Sequence, residues 1–172
     1  MSQQLAIAAK QQGFTLIELL IAVLVVSIAL LGFARLQVSS LQNAREARFS
    51  QTAYSAMLDL SERIRSEPRA AIDGEFNFTN LTTGTAPVAV DCLSTTVSCS
   101  RAQFALYELQ EWFNYNSTSV PQLRFAVTQT PLQPNIFDIS ITWDAALTGV
   151  GVDTCNSDGQ SHQCVGMQLW IR

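Results

Sequence analysis

Residues 13–34 read GFTLIELLIAVLVVSIALLGFA, an apolar run that holds one charged residue, Glu18. An ionised carboxylate in hydrocarbon costs several kcal/mol unless something pairs with it. A chain that needed only an anchor would carry Leu there, so Glu18 asks for a cationic partner. From Phe14 to Ala34 the run is about 21 residues, and as a helix it spans about 31 Å, the thickness of a bilayer's hydrocarbon core.

On its N-terminal side the run is preceded by MSQQLAIAAKQQ, whose Lys10 is the only lysine of the chain. On its C-terminal side no small-residue cleavage site of the A-x-A kind follows, which argues against a secretory signal removed after the run. The chain continues instead as LGFARLQVSSLQNAREARFSQTAYSAMLDLSERIRS (31–66), helix-compatible and free of Pro. Phe49, Ala53, Met57 (with Ala56), Leu60 and Ile64 recur at three- and four-residue spacing and lay one apolar stripe along a helix. Arg45, Arg48, Asp59, Glu62 and Arg63 mostly take the other faces. Pro68 ends the element, because the residue before a proline is pushed out of the α region. A single helix from about Phe14 to Ser66 would be roughly 80 Å long, apolar all round in its first half and amphipathic in its second.

Composition bounds the rest. About 138 residues from Arg35 onward suffice for one compact domain with its own core. The net charge of −4 gives no case for a nucleic-acid partner, which would need a basic patch. Four cysteines fall in two close pairs, Cys92/Cys99 and Cys155/Cys164. An even count beyond a membrane segment suits disulfides in an oxidising compartment. Three connectivities exist; proximity favours Cys92–Cys99 and Cys155–Cys164 without excluding the others. Arg35, Arg45 and Arg48 follow the run, so flanking charge alone leaves the orientation ambiguous or inverted. The cysteines place the C-terminal domain outside.

The join at Gly13-Phe14-Thr15-Leu16-Ile17-Glu18 resembles the processing site of class III signal sequences, and the chain is identified on it as resembling the type IV pilin family. The resemblance covers the leader, the helix and, more loosely, the order of elements beyond. It implies that a membrane prepilin peptidase cuts between Gly13 and Phe14, removing residues 1–13 as a leader, and N-methylates Phe14. Residues 14–34 then form the transmembrane and assembly helix, 35–66 its amphipathic continuation, and 67–172 a periplasmic or extracellular head. Cleavage exposes a cationic amine on Phe14, about one helical turn from Glu18. That amine can pair with Glu18 of its own chain or of a neighbour in a filament, offsetting the cost of the buried carboxylate. The implied partners are inner-membrane lipid before assembly, and other minor pilins and the major pilin after it.

In the head, Glu75–Thr79 and Ala86–Asp91 are strand-like runs among Asn, Thr and Gly. Ser100-Arg101-Ala102-Gln103 fits a capping box, with Ala105, Leu109, Trp112 and Phe113 behind it as an apolar helix face. A Cys92–Cys99 bridge would end directly at that cap. Leu123–Thr128 and Ile136–Trp143 have strand character, joined by PLQPN as a hairpin connection. Val165–Ile171 supplies a last strand, with Met167, Leu169 and Ile171 on one side and Trp170 on the other. A long helix on a small antiparallel sheet with one extra short helix makes an α+β fold, which is also the type IV pilin fold.

Within the family the chain resembles the PilV type of minor pilin. The features are Leu31-Gly32 and Leu36-Gln37, a Cys-Ser before the helix ALYELQEW (105–112), and an ISITW strand followed by a Cys-containing loop. Arg35 stands where abundant subunits usually have a helix-kinking Pro, which fits a low-abundance subunit. The resemblance implies a minor pilin that joins or primes the type IV pilus at or near its tip, in support of twitching motility. Two alternatives share the N-terminal features: a minor pseudopilin of a type II secretion system, and a tip-exposed adhesion or DNA-uptake module.

No catalytic constellation is present, so no enzyme, cofactor or metal is expected. His162 is the only histidine and sits in the polar loop CNSDGQSHQC (155–164). There is no C-x-x-C and no Gly-rich phosphate loop. Asp153, Asn156 and Asp158-Gly159 faintly suggest a calcium loop but lack the closing acid. Asn77, Asn80 and Asn116 begin glycosylation sequons, which Asn/Thr-rich loops produce by chance.

Overall fold

The computed structural model describes residues 15–149, 151, 155 and 163–172. The chain divides into two compact units, one ending at Gln42 and the other spanning Asn43–Arg172. A single helix, α1 (Leu16–Ser66), contributes to both and passes through Arg35 without a break.

In the first unit, no residue of α1 from Leu16 to Gln42 is buried. This is the one described helix long and apolar enough to cross a membrane, with a mean hydropathy of 2.8 over its most apolar window. In the second unit α1 behaves as a globular-protein helix. Ala53, Ala56, Met57, Leu60, Ser61 and Ile64 are buried along one stripe, and Phe49 packs at its margin. The three- and four-residue periodicity of the sequence produces this face.

The rest of the head is α2 (Pro68–Ile72), β1 (Phe78–Thr79), α3 (Arg101–Ser117), β2 (Arg124–Thr130), β3 (Gln133–Thr142) and β4 (Cys164–Trp170). The strands form one antiparallel sheet in the order β1-β2-β3-β4. The long helix and this small sheet give an α+β architecture consistent with the type IV pilin fold. One core joins the α1 stripe, Leu109, Trp112 and Phe113 of α3, and the inward residues Phe125, Val127, Phe137, Ile139, Ile141 and Leu169 of the sheet. Alternation in IFDISITW is what turns Phe137, Ile139, Ile141 and Trp143 inward.

Two bonds between helices set how α3 lies on α1. The buried Trp112 indole N–H donates to the Ala56 carbonyl at 2.8 Å. Nearer the surface, Arg63 donates to Glu108 at 2.7 Å and to Asp59 at 3.1 Å. Trp112 also meets Phe125 edge-to-face, with ring centroids 4.8 Å apart. The capping box is formed in full: the Gln103 N–H donates to Ser100 Oγ, and the Ser100 N–H donates to Gln103 Oε1.

Three expectations need correction. Beside α1 there are two further helices rather than one, because Pro68 opens α2 at its first turn as well as closing α1. The Ala86–Asp91 run forms no strand, and only Phe78–Thr79 of Glu75–Thr79 does. The hairpin connection is the two-residue turn Pro131-Leu132, so Pro134 lies inside β3. Register explains why it is tolerated there. Gln129 faces Phe137 but Thr130 faces Gln133, so Pro134 sits in a bulge where β2 asks for no donor.

Candidate functional site

The N-terminal end of α1 is built from its backbone outward. The Thr15 carbonyl accepts from the Glu18 N–H at 3.1 Å and the Leu19 N–H at 3.3 Å, which opens the helix. Leu16 and Ile17 therefore carry N–H groups for which the helix supplies no acceptor among the described residues. Glu18 lies in this first turn, where the positive end of the helix dipole favours a carboxylate.

Between Leu16 and Ala34 the other polar side chain is satisfied internally. Ser27 Oγ donates to the Val23 carbonyl at 2.7 Å, so it brings no unpaired donor into an apolar surround. Glu18 is exposed and has no ion pair among the described residues. Gly32 leaves an open notch, with no other atom within 4 Å of the place a Cβ would take. Small residues of this kind let a second helix approach closely. Chemically, this end can insert in lipid, or pack against helices, with one carboxylate to satisfy.

Gly13, Phe14 and Lys10 lie outside the described residues, as do Asp153, Asn156, Asp158, Gly159 and His162. The described cysteines are joined as Cys92–Cys99, with Cα atoms 5.7 Å apart, and Cys155–Cys164, at 5.4 Å. Cys99 directly precedes the Ser100 cap of α3, and Cys164 opens β4 opposite Thr142. Among the described residues no three His, Cys, Asp or Glu side chains gather as metal ligands.

Several head residues carry roles that local sequence signals do not announce. Asn80 is buried, with Nδ2 donating to the Thr85 carbonyl at 2.8 Å and Oδ1 accepting the Phe125 N–H at 2.7 Å. Both ends of its amide are spent, so this sequon is no acceptor for a glycan in the folded head. Gln129 Nε2 donates to Ile72 O at 3.0 Å and Pro134 O at 2.7 Å, tying α2 to the β2–β3 bulge. Asp144 is buried where the chain leaves β3. Burial pushes its carboxyl up, but hydrogen bonds from the Thr148 backbone and hydroxyl and from the Gly149 and Leu147 backbone outweigh this and hold it below the ordinary carboxylate value.

Comparison with curated proteins and comparison with solved structures return no match. The family-model comparison returns one: residues 8–34 match the prokaryotic N-terminal methylation motif. That span runs into the exposed apolar part of α1, and the chain therefore carries the N-terminal methylation motif of type IV pilin-like prepilins.

Proposed function

We propose that the chain is a minor pilin, processed between Gly13 and Phe14, methylated on Phe14, and incorporated in or priming the type IV pilus near its tip. The observation that carries the reading is Glu18 in the first turn of α1, whose apolar first part is exposed throughout, inside the stretch that matches the methylation motif. The motif implies processing by a prepilin peptidase and assembly with other pilins. Once the leader is removed, the new amine at Phe14 sits at the same helix end as Glu18. An amine from the same chain or from a neighbour then offsets the carboxylate's cost in hydrocarbon.

Low abundance is supported by Arg35 in place of a kinking proline, and the PilV subtype by the residues around Cys99–Trp112 and Ile139–Trp143. Two disulfides support a head on the periplasmic side of the inner membrane before assembly and on the pilus surface after it. Purified sheared pili should contain this chain at trace level, beginning with methylated Phe14 by mass spectrometry. Deleting the gene should abolish surface pili and twitching. Loss of enzyme secretion with pili intact would replace this reading with a secretion pseudopilin.

A further inference from the structure

The chain treats the two edges of its sheet differently. On the β2 side, β1 covers Ala126 and Val127. Beyond β1, Asn80 stands in for a strand, donating its backbone N–H to Phe125 O at 3.0 Å and accepting the Phe125 N–H on its side chain. At the other end of β2, Asn77 Oδ1 accepts the Gln129 N–H at 2.7 Å. Side chains placed this way seal an edge against further pairing.

Among the described residues the β4 edge has no such seal. Ile171 N–H donates to Asn135 O at 2.8 Å, and Trp143 N–H donates to Gln163 O at 3.0 Å. Bonded pairs alternate along an antiparallel ladder. Given the register, Val165, Met167 and Leu169 spend their backbone groups on Ile141, Ile139 and Phe137. Gly166, Gln168 and Trp170 therefore aim their N–H and C=O groups away from the sheet, and among the described residues no backbone bond receives them. The strand, CVGMQLW, contains no charge and no Pro, and pairs with β3 without a bulge. Charge, Pro and bulges are the devices by which natural edges are usually blunted, and β4 has none of them.

We infer that the free edge of β4 docks an extended segment of a partner protein, which adds to the sheet as a further antiparallel or parallel strand. Two observations define that segment. Val165 and Met167 are only partly buried at the rim of the core, so apolar residues on alternate positions of the added strand would complete their cover. At the end of β4, Arg65, Trp170, Ile171 and Arg172 line a groove of about 470 Å³. Arg65 is paired with Glu62, while Arg172 has no ion pair among the described residues. A carboxylate following the paired stretch complements this groove. The β4 of a second copy has no acid and would leave this groove unsatisfied, whereas a partner segment with alternate apolar residues and a following acid would fill it. This inference goes beyond the pilin reading and does not depend on it.

The test is amide hydrogen exchange on the full chain in detergent micelles, with the acetylated peptide Thr-Val-Thr-Val-Thr-Val-Glu as probe at about 1 mM. The Gly166, Gln168 and Trp170 amides should exchange rapidly in the free chain and roughly tenfold more slowly with the probe. Gln168→Pro should abolish that protection, since its N–H makes no bond to β3 and an outward edge position tolerates Pro. Gly166→Lys should do so by placing a charge on the edge. Unchanged exchange at Ile139 and Ile141 would show that both variants remain folded. Replacing the probe's Glu by Lys should weaken protection. Absence of protection, protection that survives both variants, slow exchange in the free chain, or protection that grows with protein concentration alone would each overturn the inference.

Discussion

Trp112→Phe isolates the bond by which α3 is registered on α1. The indole is fully buried, and its N–H reaches the Ala56 carbonyl at 2.8 Å. Ala56 lies mid-helix, so its carbonyl keeps a helical donor when the indole is lost and is not stranded. The hydrogen bond itself is then worth about 1 kcal/mol. The smaller ring also leaves a void beside Phe125, for which a further 1–2 kcal/mol, roughly, is expected. The total, about 2–3 kcal/mol, should lower the melting temperature of the head by about 10 °C. Thermal unfolding of the oxidised full chain in micelles, followed by near-ultraviolet circular dichroism, measures it. Trp112→Ala should lose about 3–5 kcal/mol by cavity formation in addition to the bond. A Trp112→Phe loss below about 0.5 kcal/mol would show that the indole bond does not hold the two helices, and the packing argument for α3 would fail with it.

Other perturbations separate the head from the exposed first part of α1. Glu18→Ala should leave membrane insertion intact or improve it while reducing the amount of this chain in sheared pili; wild-type incorporation would remove Glu18 from assembly. Asn80→Ala leaves the Phe125 N–H and the Thr85 carbonyl without partners and should cost about 2–4 kcal/mol in urea titrations. The folded-state pKa of Asp144 lies below its unfolded value, so its contribution to stability is full above the ordinary carboxylate value and is lost as pH falls through the folded one. The stability gap between wild type and Asp144→Asn should therefore be constant near neutrality and narrow only in acid. Replacing Cys92 and Cys99 by Ser should cost about 2.5 kcal/mol from loop entropy and speed amide exchange in the first turn of α3.

The elements that were legible in the sequence are those whose signal is local. The α1 stripe is a repeated three- and four-residue spacing, the α3 start is a four-residue capping box, and β3 is an alternation of apolar and polar residues. Elements whose stability comes from distant partners were not. Asn77, Asn80 and Gln129 read as loop polarity, yet each completes a backbone bond in a segment more than forty residues away. Ala86–Asp91 has strand composition but no ladder to join, since β2's outer side is taken by β1 and the asparagines. At the N-terminal end the sequence was the stronger witness. The methylation motif over residues 8–34 is a sequence pattern, and the exposed apolar helix that it runs into is consistent with that pattern without revealing it.

The division of labour along α1 has an energetic consequence. Every core position that α1 supplies lies at Ala53 or later, and nothing from Leu16 to Gln42 is buried in the fold. The free energy of folding the head and the free energy of solvating the first part of the helix are therefore separable quantities. A subunit of this design can exchange one apolar surround for another while its head remains at the same depth in its own energy well. The work of such a transfer falls on the helix surface and on one carboxylate, Glu18.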